Sequence, residues 1–99
     1  MEITVSANEN ATTIAVAGNI DTNTAPQLES AVNTALEASD NIMFDLAETE
    51  YISSAGLRVV LATQKAIAKT AGTFVLRNMQ PGVKEVFDIT GLSAVLTIE

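Results

Sequence analysis

The run Thr24-Ala25-Pro26-Gln27-Leu28-Glu29-Ser30-Ala31-Val32-Asn33-Thr34-Ala35-Leu36-Glu37-Ala38-Ser39-Asp40-Asn41-Ile42-Met43-Phe44 decides the fold, because in it an amphipathic helix feeds directly into an apolar strand. Thr24 stands where a helix cap belongs, Pro26 in the first turn and Gln27 at the capping-box position. Leu28, Ala31, Val32, Ala35 and Leu36 recur at three- and four-residue spacing with Glu29, Ser30, Asn33 and Glu37 between them, so one face is buried. Asp40-Asn41 ends the helix. Ile42-Met43-Phe44 is apolar without alternation, the pattern of a strand covered on both faces in a parallel sheet.

Upstream, Ile3 to Ala7 and Ala11 to Gly18 are β-compatible runs, the second alternating through Thr13-Ile14-Ala15-Val16-Ala17, and Asn8-Glu9-Asn10 supplies a turn between them. A hairpin is predicted, broken off by Gly18-Asn19-Ile20-Asp21 before the helix. Downstream, Leu46 to Ile52 reads as a loop. A second helix begins near Ser53/Ser54, with Leu57, Val60, Leu61, Ile67 and Ala68 inward and Arg58, Lys65 and Lys69 on another face; Gly72 closes it. Thr73 to Arg77 is a further strand, and Pro81 to Thr90 a third helix burying Val83, Val86 and Phe87, with Gly91 after it. Val95 to Ile98 is a last short strand. The expected fold class is α/β, one domain over residues 1–99, with a mainly parallel sheet, an N-terminal hairpin strand and the order β-β-α-β-α-β-α-β. Strands joined by a crossover helix run the same way, so those ending at Gly18 and Asp45 share a carboxyl edge, where sites prefer to form. Asn19 and Asp21 are therefore expected near Glu48, Glu50, Tyr51 and Ser54.

Composition narrows the chemistry. Of 99 residues, 47% are apolar and 17% charged, against the signature of a disordered chain. There is no Cys and no His, hence no thiolate nucleophile or ligand, no disulfide, no imidazole ligand and no Ser-His base. Neither metal nor cofactor is expected. The net charge of −7 disfavours nucleic acid and anionic membrane surfaces. Met1 to Leu57 holds nine acids and no base; Arg58 to Glu99 holds five bases and three acids. Met1-Glu2-Ile3-Thr4-Val5 lacks a secretory pattern, and no run approaches the roughly 20 apolar residues of a membrane span. A cytosolic location is expected.

The segment Tyr51-Ile52-Ser53-Ser54-Ala55-Gly56-Leu57 puts two hydroxyls where a helix begins, beside unpaired N–H groups and a partial positive charge. A phosphoserine is stabilised there. The plainer reading makes Ser53 or Ser54 an N-cap worth about 1 kcal/mol and Gly56 a close-packing position. Catalysis by a serine lacks a base, since Lys65 and Lys69 lie two to four turns along, so no enzyme is expected. Arg58, Lys65 and Lys69 read as a solvated helix face, and Met43, Phe44, Phe74 and Phe87 as core.

The same segment resembles the loop-helix junction of the STAS domain, specifically of bacterial anti-sigma factor antagonists. Gly18-Asn19-Ile20-Asp21 with Thr24-Ala25 resembles the family's Gly-x-x-Asp element, and Val83-Lys84-Glu85-Val86-Phe87-Asp88-Ile89-Thr90-Gly91-Leu92 its closing helix. Together they span nearly the whole chain in order. The resemblance implies a binding module that, unphosphorylated, engages an anti-sigma factor that is also a serine kinase, and so frees a sigma factor. Phosphorylation ends that binding and a serine phosphatase restores it; nucleotide belongs to the kinase. By position Ser54 is the phosphoacceptor, with Ser53 the less favoured alternative, and Asp21 faces the partner. Asn19, Thr24, Ser53, Ala55, Gly56 and Arg58 complete the expected partner-binding surface. Many members carry Asp where this chain has Ser53, which is expected to cap the helix in its place. A phosphate on Ser54 would meet like charge from Asp21, Glu48 and Glu50. The alternative is a STAS scaffold that assembles without phosphorylation; a simple antagonist is expected as a monomer or weak dimer. An acyl carrier protein shares the small size, the acidity and a modified serine, but is all-helical, against the β runs here.

Overall fold

The computed structural model of the chain describes residues 1–8 and 10–99; Glu9, in the predicted hairpin turn, lies outside the described residues. Strands β1 (Glu2–Ala7) and β2 (Thr12–Ile20) pair antiparallel, Ile3 opposite Val16 and Val5 opposite Ile14. Asn8 Oδ1 accepts from the N–H of Asn10 and of Ala11, each at 2.8 Å. Helix α1 (Ala25–Ala38) then leads to β3 (Ile42–Asp45). A short strand β4 (Thr49–Ile52), helix α2 (Ser54–Ala68), strand β5 (Phe74–Arg77), helix α3 (Pro81–Ile89), a 3-10 turn (Leu92–Ala94) and strand β6 (Thr97–Ile98) complete the chain. The sheet runs β1-β2-β3-β5-β6, with all pairs after the hairpin parallel.

The α/β class stands, and two details of the order change. Leu46 to Ile52 is not a loop throughout: Thr49–Ile52 is β4, paired in parallel with the far half of β2. β2 has nine residues and outruns the four of β3, so its exposed end recruits a second strand in the same lane. The final strand is also shorter than Val95 to Ile98, because the 3-10 turn takes the chain to Ala94.

β3 is not covered on both faces. Ile42 and Phe44 are buried, while Met43 and Asp45 are half-buried. Strand order gives the reason: β2, β3, β5 and β6 follow one another in one direction, so right-handed crossovers place every helix on the same side. That side holds the core, where Ile14, Val16, Ile42, Phe44, Phe74 and Leu76 of the sheet meet Leu28, Val32, Val60, Ile67, Val83 and Phe87 of the helices. Phe44 and Phe74 pack edge to face, 5.0 Å apart at 85°, a favourable aromatic geometry. Thr13, Ala15, Ala17, Met43 and Val75 line the other, half-buried face. On α2 the buried residues are Gly56, Val59, Val60, Thr63 and Ile67. Leu57 and Leu61 are half-buried and Ala68 is exposed, so the helix is turned from the face its leucines suggest.

Candidate functional site: the carboxyl edge of the sheet

The parallel pairing of β2 with β4 sets Asn19 opposite Tyr51 and Ile20 opposite Ile52, with a bulge between Gly18 and Asn19. Gly18 adopts φ +96°, a conformation that suits glycine. Thr49 is buried and its hydroxyl donates to Val16 O at 2.7 Å, pinning the start of β4. At the other end, Ser53 N–H donates to Ile20 O at 2.8 Å, and Leu57 N–H donates to Ser53 O at 2.9 Å. The sheet ladder thus runs into the first turn of α2 without slack.

Gly56 seats that turn. A Cβ there would lie 2.7 Å from both Ile20 Cγ2 and Ile52 Cγ1, so α2 rests directly on the paired ends of β2 and β4. The glycine is buried, and close packing accounts for it.

Ser54 is exposed as the first residue of α2. Ser53 occupies the N-cap position but does not cap: it makes no side-chain cap hydrogen bond, and its Oγ is buried without a partner. The expectation that Ser53 replaces a capping Asp therefore fails. Its hydroxyl is turned into the protein, leaving the first-turn N–H groups without a side-chain acceptor.

The start of α1 is built differently. Asp21 N–H donates to Thr24 Oγ1 at 2.8 Å, while Asp21 Oδ1 accepts from the N–H of Thr24 at 3.0 Å and of Asn23 at 2.9 Å. The Thr24 hydroxyl lies 2.9 Å from Asn19 O, to which it can donate. This is a reciprocal box between Asp21 and Thr24, in place of the predicted one between Thr24 and Gln27; Thr24 makes no side-chain cap bond to α1. The Thr24 N–H foremost, then the Asn23 N–H and the Thr24 hydroxyl, hold the Asp21 carboxyl below the usual carboxylate range.

The sheet brings Asn19, Asp21, Thr24, Ser53, Ser54, Ala55 and Gly56 to one edge, as the shared-edge argument required. Glu48 is not among them: it precedes β4, at the opposite end from Ser54, and lines a hollow with Glu2 and Asp45. Glu50 is exposed on β4 itself. Arg58 is exposed and lines a groove of about 600 Å³ between α1 and α2, with Thr22, Pro26, Glu29, Ala55 and Lys65. The groove was missed in the sequence, although the four-residue step from Ser54 to Arg58 pointed toward it.

The STAS domain family model matches residues 2–99. The anti-sigma-B factor antagonist of Bacillus subtilis is 32% identical over 98 residues, covering 99% of this chain and 90% of the relative. An anti-sigma factor antagonist from Mycobacterium paratuberculosis, solved by crystallography, matches with a TM-score of 0.88 at 26% identity, over 98% of this chain and 83% of its own. The Bacillus cell fate determinant SpoIIAA in its phosphorylated form shares the fold, with a TM-score of 0.78 at 21% identity, over 99% of this chain and 91% of that one. A one-sided α/β sheet with an N-terminal hairpin and a helix starting on its carboxyl edge is the frame of a STAS domain. The chain belongs to the STAS domain family, and within it to the anti-sigma factor antagonists.

Proposed function

We propose that this chain is the phosphorylation-controlled member of a partner switch in the cytoplasm. Unphosphorylated, it binds an anti-sigma factor that is also a serine kinase, and the sigma factor is freed. The kinase transfers the γ-phosphoryl group of ATP to Ser54 Oγ; the hydroxyl gives up its proton and ADP leaves. A serine phosphatase reverses the state by hydrolysis, releasing inorganic phosphate. The chain supplies no catalytic group, and nucleotide sits on the kinase.

The observation that carries this reading is the pairing of an exposed Ser54 with an uncapped helix start. A phosphate there finds N–H donors and the positive end of the α2 dipole. The off state follows from charge: the modified surface gains about 1.5 to 2 negative charges close to Asp21, and a docked partner must desolvate them. That the SpoIIAA fold has been solved with phosphate attached supports the same chemistry here. Incubation with the cognate kinase and ATP is expected to add one phosphate, mapped by mass spectrometry to Ser54 and absent from Ser54→Ala. Phosphate on Ser53 alone overturns the assignment.

One observation favours the scaffold reading. β1 is an edge strand, and beside it Ile3, Val5 and Ala7 form an uncharged groove with Ala31, Ala35 and Ala38 of α1. Self-assembly through that edge would give a large, concentration-dependent mass by size exclusion, where a simple antagonist runs as a monomer or weak dimer.

A further inference from the structure

Ser54 and Arg58 stand four residues apart on α2, which brings their side chains onto one helix face with Cβ atoms about 5–6 Å apart. Both are exposed. Arg58 lines the α1/α2 groove, where Glu29 of α1 is the acid that shares the lining. The two form no ion pair: among the described residues the ion pairs are Arg77 with Glu99 and Lys84 with Asp88. Asp21 is committed elsewhere, to the N–H groups of Asn23 and Thr24. Arg58 is therefore an uncommitted cation on a chain of net charge −7, one helical turn beyond the candidate phosphoacceptor.

We propose that Arg58 is the intramolecular counter-charge of a phosphate on Ser54, a role that rests on Ser54 being the phosphoacceptor. An anion placed four residues before a cation on a helix is the favourable orientation. A phosphate offers three acceptor oxygens to the paired N–H donors of a guanidinium, so the contact is bidentate where a carboxylate–lysine pair would be single. Lys65 also lines the groove, but it lies eleven residues from Ser54, about 16 Å along the helix axis, and cannot take this part. Phosphorylation then does two things to the docking surface. It adds negative charge at Ser54, and it withdraws Arg58 from any acidic group that a partner presents there. The switch is thus an exchange of Arg58 from an intermolecular to an intramolecular anion, on top of simple repulsion.

Phosphoserine installed at position 54 through an expanded genetic code, with no kinase involved, provides the test. In a ³¹P NMR titration the second ionisation of the phosphate is expected about half a pH unit lower in the otherwise unchanged protein than in Arg58→Ala. Arg58→Lys should fall between them and Lys65→Ala should match the unchanged protein. Glu29 and Asp21 are retained in every variant, so the differences report the change of cation. In 1 M salt, where the screening length is about 3 Å, the gap should narrow. Equal ionisation with and without Arg58 overturns the proposal, as does a shift of the same size in Lys65→Ala. Because the phosphate is put in place during synthesis, either result stands apart from whether a kinase selects Ser54, which the mapping experiment decides.

Discussion

Two helices begin side by side on the carboxyl edge of this sheet, and they begin in opposite ways. α1 starts from a closed box in which Asp21 and Thr24 each satisfy the other's backbone N–H, and a hydroxyl lies within reach of Asn19 O. α2 starts from Ser53, whose hydroxyl faces inward unpaired and leaves the first turn without a side-chain cap. Both sit on parallel neighbours, β2 and β4, in register at Ile20 and Ile52, so the difference is local and belongs to the side chains. The box steadies the turn that leads into α1, although neither helix has a side-chain cap of its own. The start of α2 has no such box before it and keeps its N–H groups available for an anion. In one edge, then, the chain holds a helix start built for stability and another left open beside Ser54.

The largest expected effect comes from unseating α2. Gly56→Ala drives a methyl group against Ile20 and Ile52, and overpacking of this kind costs about 2 kcal/mol. For a chain of 99 residues that is a fall in Tm of about 10 °C, read by thermal circular dichroism. An unchanged Tm would mean that α2 does not rest on the strand ends. A paired comparison comes next. Thr24→Ala should cost about 1 kcal/mol in urea unfolding, because it removes the acceptor of the Asp21 N–H, whereas Ser53→Ala should leave stability level or raise it by a few tenths, since it removes a buried hydroxyl that bonds nothing. Equal losses at the two positions would erase the contrast between the helix starts. The smallest effect is a pH dependence. Asp21 has a folded pKa below its unfolded value of about 3.9. Its contribution is therefore present in full above that pH and fades as acid takes the solution through the lower folded value. Asp21→Asn should lack this segment of the urea-midpoint profile below about pH 4, and an identical profile would show that the carboxylate is not held by its turn.

Much of the fold was legible because period and punctuation agreed. Leu28, Val32 and Ala35 announced a helix face that is indeed buried, and Ile14 and Val16 alternated as they do in β2. β4 escaped notice because Thr49-Glu50-Tyr51-Ile52 buries only its two ends, a pattern set by the overhang of β2 rather than by local alternation. β3 misled for a related reason: Met43 looks like core, yet which face of a strand is covered depends on the order of strands. At the candidate site, strand direction and the local signals of a helix start were enough to place Asp21 and the Ser53-Ser54 pair at one edge, while the choice of Ser54 came from the family resemblance. The inward hydroxyl of Ser53 could not, because it depends on how β4 delivers the chain to α2. Nor could the partners inside the box at α1, where Thr24 answers Asp21 behind it and not Gln27 ahead.

The hydrogen bond from Ser53 N–H to Ile20 O ties a single serine to a strand far from it in sequence. The seven residues Tyr51 to Leu57 hold the proposed phosphoacceptor, but their shape is borrowed from β2 and from the isoleucines under Gly56. Under the proposed function, a kinase acting on Ser54 would read a tertiary epitope, a shape that exists only while the sheet is intact. That substrate would vanish on unfolding, so the proposed modification at this edge would double as a report that the domain is folded.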